Sequence, residues 1–162
     1  MNSVALLRLV VLRSAAVLLQ SCEFYFGKEY AKSLSQAELR SLFERRCDVP
    51  LTESEHVLNA YAEGGRDVAF WFRVSFDPQT GDALRERLLA NGFLASRNRD
   101  YDYFMNHRIV PEAIASWWNP AAFVDATLLT FRSNSADPSS WADVVCLLDQ
   151  SNGTLFAYSR SR

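Results

Sequence analysis

The side chains that could carry out acid–base, nucleophilic or metal chemistry are few and scattered in this sequence. There are two histidines, His56 and His107, whereas a metal site needs three or four convergent ligands. His56 lies on a predicted strand opposite an arginine and His107 lies in a predicted loop, so both are expected to be ordinary, solvated or half-buried histidines. Cys47 and Cys146 fall in apolar patterns, while a nucleophilic cysteine needs a positioned base and partial exposure. The sequence therefore predicts no catalytic residue, no metal and no cofactor.

Two carboxylate pairs have a spacing that could suit acid–base work. Glu53 with Glu55, and Asp100 with Asp102, alternate so that each pair lies on one side of an extended chain. Such pairs at loop and strand edges are mostly solvated surface. The motifs of phosphate-binding loops, zincin helices and nucleophile elbows are absent from the sequence. A small hydrolase stays an alternative, because a pocket that gathered Asp102, His107 and a further acid or hydroxyl would supply a catalytic site.

Composition narrows the possible partners. The 162 residues suffice for one domain with a real core, and an aromatic content of 13% argues against disorder outside the ends. The formal net charge is −2, and no run of like charge exceeds three residues. Nucleic-acid binding needs a clustered basic face. We therefore expect no nucleic-acid partner.

The N-terminal segment is unusual in composition. Residues 1–21 contain two arginines, no acid and an excess of Leu, Val and Ala, and they lead into Leu19-Gln20-Ser21-Cys22. This segment resembles a bacterial lipoprotein signal peptide with its lipobox. The resemblance covers only the first 22 residues. It implies that the signal peptide is removed, that Cys22 is lipidated on sulfur, and that the protein is anchored by lipid in the bacterial cell envelope with its domain facing the periplasm or the exterior. The alternative is an N-terminal helix of a cytosolic protein.

The lipobox also affects the other cysteines. If one of the three cysteines carries lipid, Cys47 and Cys146 remain as a pair in an oxidising compartment, and we expect them to form a disulfide. Cys47 ends the apolar stripe of a predicted helix, and Cys146 lies in a predicted strand that is apolar on both faces. The alternative is two separate buried thiols in a cytosolic protein.

The stretch 68–76 gives the strongest secondary-structure signal. A period of two places all of its Val and Phe side chains on one face, and turn residues flank it on both sides. A strand is also predicted over 55–62. A two-residue loop at Gly64-Gly65 would join the two as a hairpin, with Tyr61 opposite Val68.

Two helices are predicted from local capping signals. Ser35 and Glu38 have the spacing of a capping box, followed by an apolar stripe made of Leu39, Leu42, Phe43 and Cys47. Asp77-Pro78 opens the second helix, whose stripe contains Leu84 and Leu88. Further strands are predicted over 124–132, 141–149 and 155–159, the last two joined by a turn at Asn152-Gly153.

Together these elements predict the α+β class, with an antiparallel sheet of about five strands and two main helices packed on one face. The predicted organisation is a signal peptide over 1–21, a tether over 22–33 and one domain over 34–162.

The long segment 94–120 is rich in aromatic and basic residues and exceeds what the topology requires. We expect one of the adjacent tryptophans Trp117 and Trp118 to be buried and the other partly exposed. Aromatic and arginine side chains dominate binding surfaces, so this segment and one face of the central strand are the candidate binding site. The candidate residues are Trp71, Arg73, Tyr101, Tyr103, Arg108, Trp117 and Trp118. The alternative is that the segment forms short elements of the core.

These observations favour a non-catalytic, lipid-anchored envelope protein that binds a protein or an envelope ligand. An immunity or inhibitor protein of the same compartment is a narrower alternative. The partners expected are therefore the membrane, through an N-terminal lipid, and a protein.

Overall fold

A seven-stranded antiparallel sheet forms the centre of the part of the chain that the computed structural model describes, which is residues 25–64, 68–96, 110–122, 125–131 and 144–161. The strands are β1 (Tyr25–Glu29), β2 (His56–Gly64), β3 (Val68–Ser75), β4 (Leu94–Ala95), β5 (Thr127–Phe131), β6 (Val144–Asp149) and β7 (Thr154–Ser161). Their order across the sheet is β1-β2-β3-β7-β6-β5-β4. The helices are α1 (Gln36–Cys47) and α2 (Gly81–Ala90), with short 3-10 turns at Pro78–Thr80, Glu112–Ile114 and Pro120–Ala122.

The α+β class is confirmed, and the expected strand count of about five is wrong. The two additional strands are the edge strands β1 and β4. β4 is two residues long, too short to show a period in the sequence. β1 lies inside the segment 22–33 that the sequence analysis assigned to a tether, and it pairs with β2. Neither strand shows a sequence pattern typical of a strand. Each one forms because it pairs with a neighbouring strand.

The strand predicted at 68–76 is confirmed as β3, which lies in the interior of the sheet. β3 pairs with β2 on one side and with β7 on the other. Its predicted apolar face is buried against the helices. The rings of Phe70 and Phe72 stack with their centroids 6.1 Å apart, and Phe43 of α1 meets Phe72 edge-on at 5.3 Å. β3 therefore organises the helix-covered core.

The predicted register of the β2–β3 hairpin is wrong. Tyr61 lies opposite Trp71 rather than Val68. β2 ends at Gly64 and β3 begins at Val68, so the connection is longer than two residues and the register differs by three from the predicted one. An odd difference exchanges the two faces of a strand. Tyr61 consequently lies on the face away from the helices. A β-bulge between Val57 and Asn59 keeps Val57 on the helix side.

The capping box of α1 is confirmed. The Ser35 hydroxyl accepts from the Glu38 backbone N–H, and the Glu38 carboxylate accepts from the Ser35 backbone N–H at 2.8 Å. The hydrogen bonds from Ser35 lower the pKa of Glu38. The helix ends where Asp48 adopts a left-handed conformation, at φ 56°. The predicted apolar stripe is the buried face of α1.

The second helix also begins as predicted, with the Asp77 side chain accepting from the Gln79 backbone N–H at 2.9 Å. The first turn is 3-10, and α2 follows from Gly81 with Leu84 and Leu88 buried. Both helices pack on the same face of the sheet, as expected. Within the described residues, no helix is long and apolar enough to cross a bilayer.

Candidate functional site

The face of the sheet opposite the helices, called the second face below, carries a row of aromatic side chains. Tyr61, Trp71 and Tyr158 lie side by side on β2, β3 and β7. The Trp71 ring lies 5.8 Å from that of Tyr61 and 5.5 Å from that of Tyr158, measured between centroids. Such tilted and edge-on contacts are the favourable geometries for aromatic pairs. All three side chains are buried, so this row is a second core.

The segment 110–118 covers part of the second face. Its 3-10 turn places Ile114 in the second core, and the Trp118 backbone N–H donates to the Ile114 carbonyl at 2.8 Å. The Trp118 ring meets the Phe156 ring edge-on at 5.3 Å. Trp118 is buried, while Trp117, whose ring centroid is 6.0 Å away, is half-exposed. The expectation that one tryptophan is buried and the other partly exposed is confirmed.

Arg73 is a cationic residue of the second face, next to the aromatic row. It lies between Asn59 on β2 and Phe156 on β7, with its guanidinium carbon 5.9 Å from the centroid of the Phe156 ring. Its Nε is buried and has no hydrogen-bond partner among the residues described. The side chain as a whole is half-exposed. A guanidinium held in this way beside an aromatic ring can bind a carboxylate or phosphate in a bidentate manner.

The sequence-predicted binding residues thus have different environments. Trp71 and Trp118 are buried in the second core, so contact with a partner on this face falls to Arg73 and Trp117. Arg73 lies beside Phe156, and Trp117 lies next to Trp118, whose ring meets Phe156. No signal in the sequence indicates Phe156, because its neighbours are set by strand pairing. Tyr101, Tyr103 and Arg108, together with Asp102 and His107 of the hydrolase alternative, lie outside the described residues, as does Cys22.

Cys47 and Cys146 lie in the same helix-covered core as fully buried, free thiols. Burial raises the pKa of both thiols, and the nearby Cys146 raises that of Cys47 further. A buried thiol that stays protonated is a poor nucleophile, which favours a structural role. The disulfide between them stays a prediction, and peptide mapping under non-reducing conditions tests it.

The Glu53–Glu55 pair does not present two carboxylates on one side. Glu53 is exposed, whereas Glu55 is 1% exposed and forms an ion pair with Arg87 of α2. The Glu55 carboxylate also accepts from the Thr52 backbone N–H at 2.7 Å. Both oxygens of Glu55 are therefore engaged in holding the 52–55 turn against α2. No sequence signal indicates this pairing, because Arg87 lies more than thirty residues away in the chain.

His56 is exposed at the start of β2, opposite Ser75 rather than Arg73. Among the residues that the structure describes, no three His, Cys, Asp or Glu side chains lie close enough to share a metal ion. Comparison with models of protein families, with curated proteins and with solved structures finds no match to this chain.

Proposed function

We propose that this protein is a non-catalytic binding protein of the bacterial cell envelope, anchored by a lipid on Cys22. The observation that carries the proposal is the lipobox Leu19-Gln20-Ser21-Cys22 at the end of an apolar segment without acids. A second observation supports it. The first described strand begins at Tyr25, so every described strand and helix lies C-terminal to the proposed cleavage site.

The proposed binding surface is the part of the second face around Arg73 and Trp117. Both side chains are half-exposed: Arg73 lies beside Phe156, and Trp117 packs against Trp118, whose ring meets Phe156. Arginine and tryptophan are the residue types most enriched among binding hot spots. Tyr101, Tyr103 and Arg108 in the preceding stretch of sequence extend the same composition. The ligand is a protein or an envelope component that offers a carboxylate or phosphate to Arg73 and an apolar or ring surface to Trp117.

Metabolic labelling tests the anchor. Cells that express the wild-type protein should incorporate a labelled fatty acid into it, and cells that express Cys22→Ser should not. The mature wild-type protein should also begin at residue 22. Equal labelling of both proteins, or a mature protein that retains Met1, would contradict the anchor.

Site-specific photo-crosslinking tests the binding surface. A photoreactive amino acid at Trp117 should give an adduct with a discrete partner in envelope membranes, and Arg73→Ala in the same protein should remove that adduct. The same amino acid at exposed Arg85 on α2 is the matched control and should give no such adduct. Tyr103→Ala and Arg108→Ala should likewise abolish the adduct while changing the free energy of unfolding by less than ~1 kcal/mol. Unfolding by several kcal/mol would instead make that segment core.

A further inference from the structure

Cys22 is close in sequence to the first strand of the sheet. Tyr25 is the first residue of β1 and pairs with Gly64 of β2, so only Glu23 and Phe24 separate Cys22 from the sheet. An extended chain advances at most ~3.6 Å per residue, so the Cα atom of Cys22 lies within ~11 Å of that of Tyr25. A lipid on Cys22 therefore keeps the end of the sheet at Tyr25 close to the bilayer.

We call the end of the sheet that contains Tyr25 and Gly64 the anchor end. The strand pairing shows which other residues lie there. Glu63 pairs with Ala69 next to the β2–β3 connection, and Val68 pairs with Ser161 near the end of β7. Neighbouring strands are separated by ~4.8 Å, so the end of β7 lies roughly 15 Å across the sheet from Tyr25. The start of β1, the β2–β3 connection and the end of β7 therefore lie together at the anchor end, the end of the sheet nearest the proposed lipid.

The C-terminal end of α1 lies at the anchor end too. The Gln36 side-chain amide, at the start of α1, donates to the Val57 carbonyl at the far end of β2. Near the other end of the helix, the Ser159 hydroxyl donates to the Arg46 carbonyl at 2.6 Å. Helix α1 therefore runs toward the anchor end and brings Arg45 there, at the same end of the sheet as Arg160 of β7.

The described charges differ between the two ends. The anchor end carries Arg45 and Arg160, both exposed, and half-buried Arg46, together with the acids Asp48 and Glu63. At the opposite end, exposed Asp77 and Asp82 lie beside the β6–β7 turn, where Gln150 donates to the Asp82 carboxylate at 2.8 Å. An anionic bilayer attracts the arginine-bearing end and repels the acidic one.

From this arrangement we infer that the anchor end of the sheet rests directly on the phospholipid surface, with no free tether. Arg45 and Arg160 contact lipid phosphates, and the β6–β7 turn lies farthest from the membrane. The second face, with Arg73 and Trp117, is then roughly perpendicular to the bilayer surface, and a partner in the same membrane can reach it. This inference rests on the proposed lipidation of Cys22.

Spin labels at the two ends of the sheet test the orientation. The lipidated protein is placed in phosphatidylethanolamine–phosphatidylglycerol vesicles that contain a nickel-chelating lipid. A nitroxide is attached to Glu63→Cys at the anchor end or to Asn152→Cys in the β6–β7 turn. The two ends of β7 are roughly 25 Å apart at the usual rise per residue, so only the label at 63 should collide with the membrane-bound nickel. We expect its collision rate to exceed that at 152 several-fold.

Two controls separate the possible failures. Mass spectrometry of the same sample reports the lipid on Cys22; a protein without lipid that fails to float with vesicles overturns both this inference and the proposed function. A lipidated protein with equal collision rates at both sites overturns the orientation alone. In Arg45→Gln/Arg160→Gln, the ratio of the two rates should fall, and an unchanged ratio would overturn the assignment of these arginines as phosphate contacts. The protein without an introduced cysteine, treated with the same nitroxide reagent, gives the background signal, because Cys47 and Cys146 are both fully buried.

Discussion

At the scale of single residues, the ion pair between buried Glu55 and Arg87 joins the 52–55 turn to helix α2. Glu55 is almost fully buried, so its carboxylate needs a partner once water is excluded. Arg87→Met should lower the free energy of unfolding by about 2–3 kcal/mol, less than for a wholly buried pair because Arg87 is partly exposed. Urea unfolding measures this.

The matched control for that variant is Arg85→Met, on the exposed side of the same helix. It should change the free energy of unfolding by less than about 0.5 kcal/mol. Equal losses in the two variants would contradict a special role for the ion pair.

The two buried thiols predict an alkaline limit to stability in the reduced protein. Burial raises the pKa of Cys47 and Cys146 in the folded state, whereas thiols in the unfolded chain ionise near pH 8.5. The unfolded state therefore loses protons first as pH rises, and the stabilisation present below pH ~8.5 is lost above it, by about 1.4 kcal/mol per thiol and pH unit.

Urea unfolding with reductant at pH 7.5 and pH 9.5 should show this loss in the wild type and a smaller one in Cys47→Ala/Cys146→Ala. The difference between the two losses isolates the thiols, because every other titrating group is common to both proteins. An identical loss in both would contradict the raised pKa values.

At the scale of elements, helix α1 depends on its capping box. Ser35→Ala removes the acceptor for the Glu38 backbone N–H, and it should lower the free energy of unfolding by about 1 kcal/mol. Ser35→Asp keeps an acceptor at the same position and should stay close to wild type. A loss in Ser35→Asp as large as in Ser35→Ala would show that something other than the cap is responsible.

The β6–β7 turn depends on a glycine. Gly153 has φ 56°, and a Cβ atom there would lie 2.2 Å from the Phe76 carbonyl oxygen. Gly153→Ala should therefore lower the free energy of unfolding by about 3 kcal/mol, from the left-handed backbone and the clash together. Gly92 ends α2 with φ 86°, but its Cβ would meet the Phe131 ring at 3.4 Å, an ordinary contact. Gly92→Ala should lower the free energy of unfolding by only about 1 kcal/mol. Comparing the two variants by thermal or urea unfolding separates the cost of the left-handed backbone, which both share, from the cost of the clash at Gly153.

At the scale of the whole molecule, the helices cover one face of the sheet and the segment 110–118 covers part of the other. Trp118 is buried on Phe156, so Trp118→Ala should lower the free energy of unfolding by about 3–5 kcal/mol. Trp117 is half-exposed, and Trp117→Ala should lose much less. The opposite order in urea unfolding would contradict this packing. The difference also shows why Trp117, and not Trp118, belongs to the proposed binding surface.

Several elements could be predicted from the sequence because their signals are local. Ser35 and Glu38 are three residues apart, and the alternation in β3 spans eight residues, so neither depends on distant parts of the chain. The same holds for β6, whose continuous apolar run matches its burial on both faces. In the candidate site, the sequence indicated Arg73 and the contrast between Trp117 and Trp118, because residue type and adjacency were sufficient.

Other features were decided only by tertiary structure. β1 and β4 exist because a neighbouring strand offers hydrogen-bonding groups, and neither carries enough residues or alternation to indicate a strand alone. The ion partner of Glu55 and the contacts around Phe156 join residues distant in the chain. The register of the β2–β3 hairpin depended on a loop length that the Gly-Gly signal did not specify. Because successive side chains alternate between faces, that difference of three residues moved Tyr61 from the expected helix-covered core into the aromatic row of the second face.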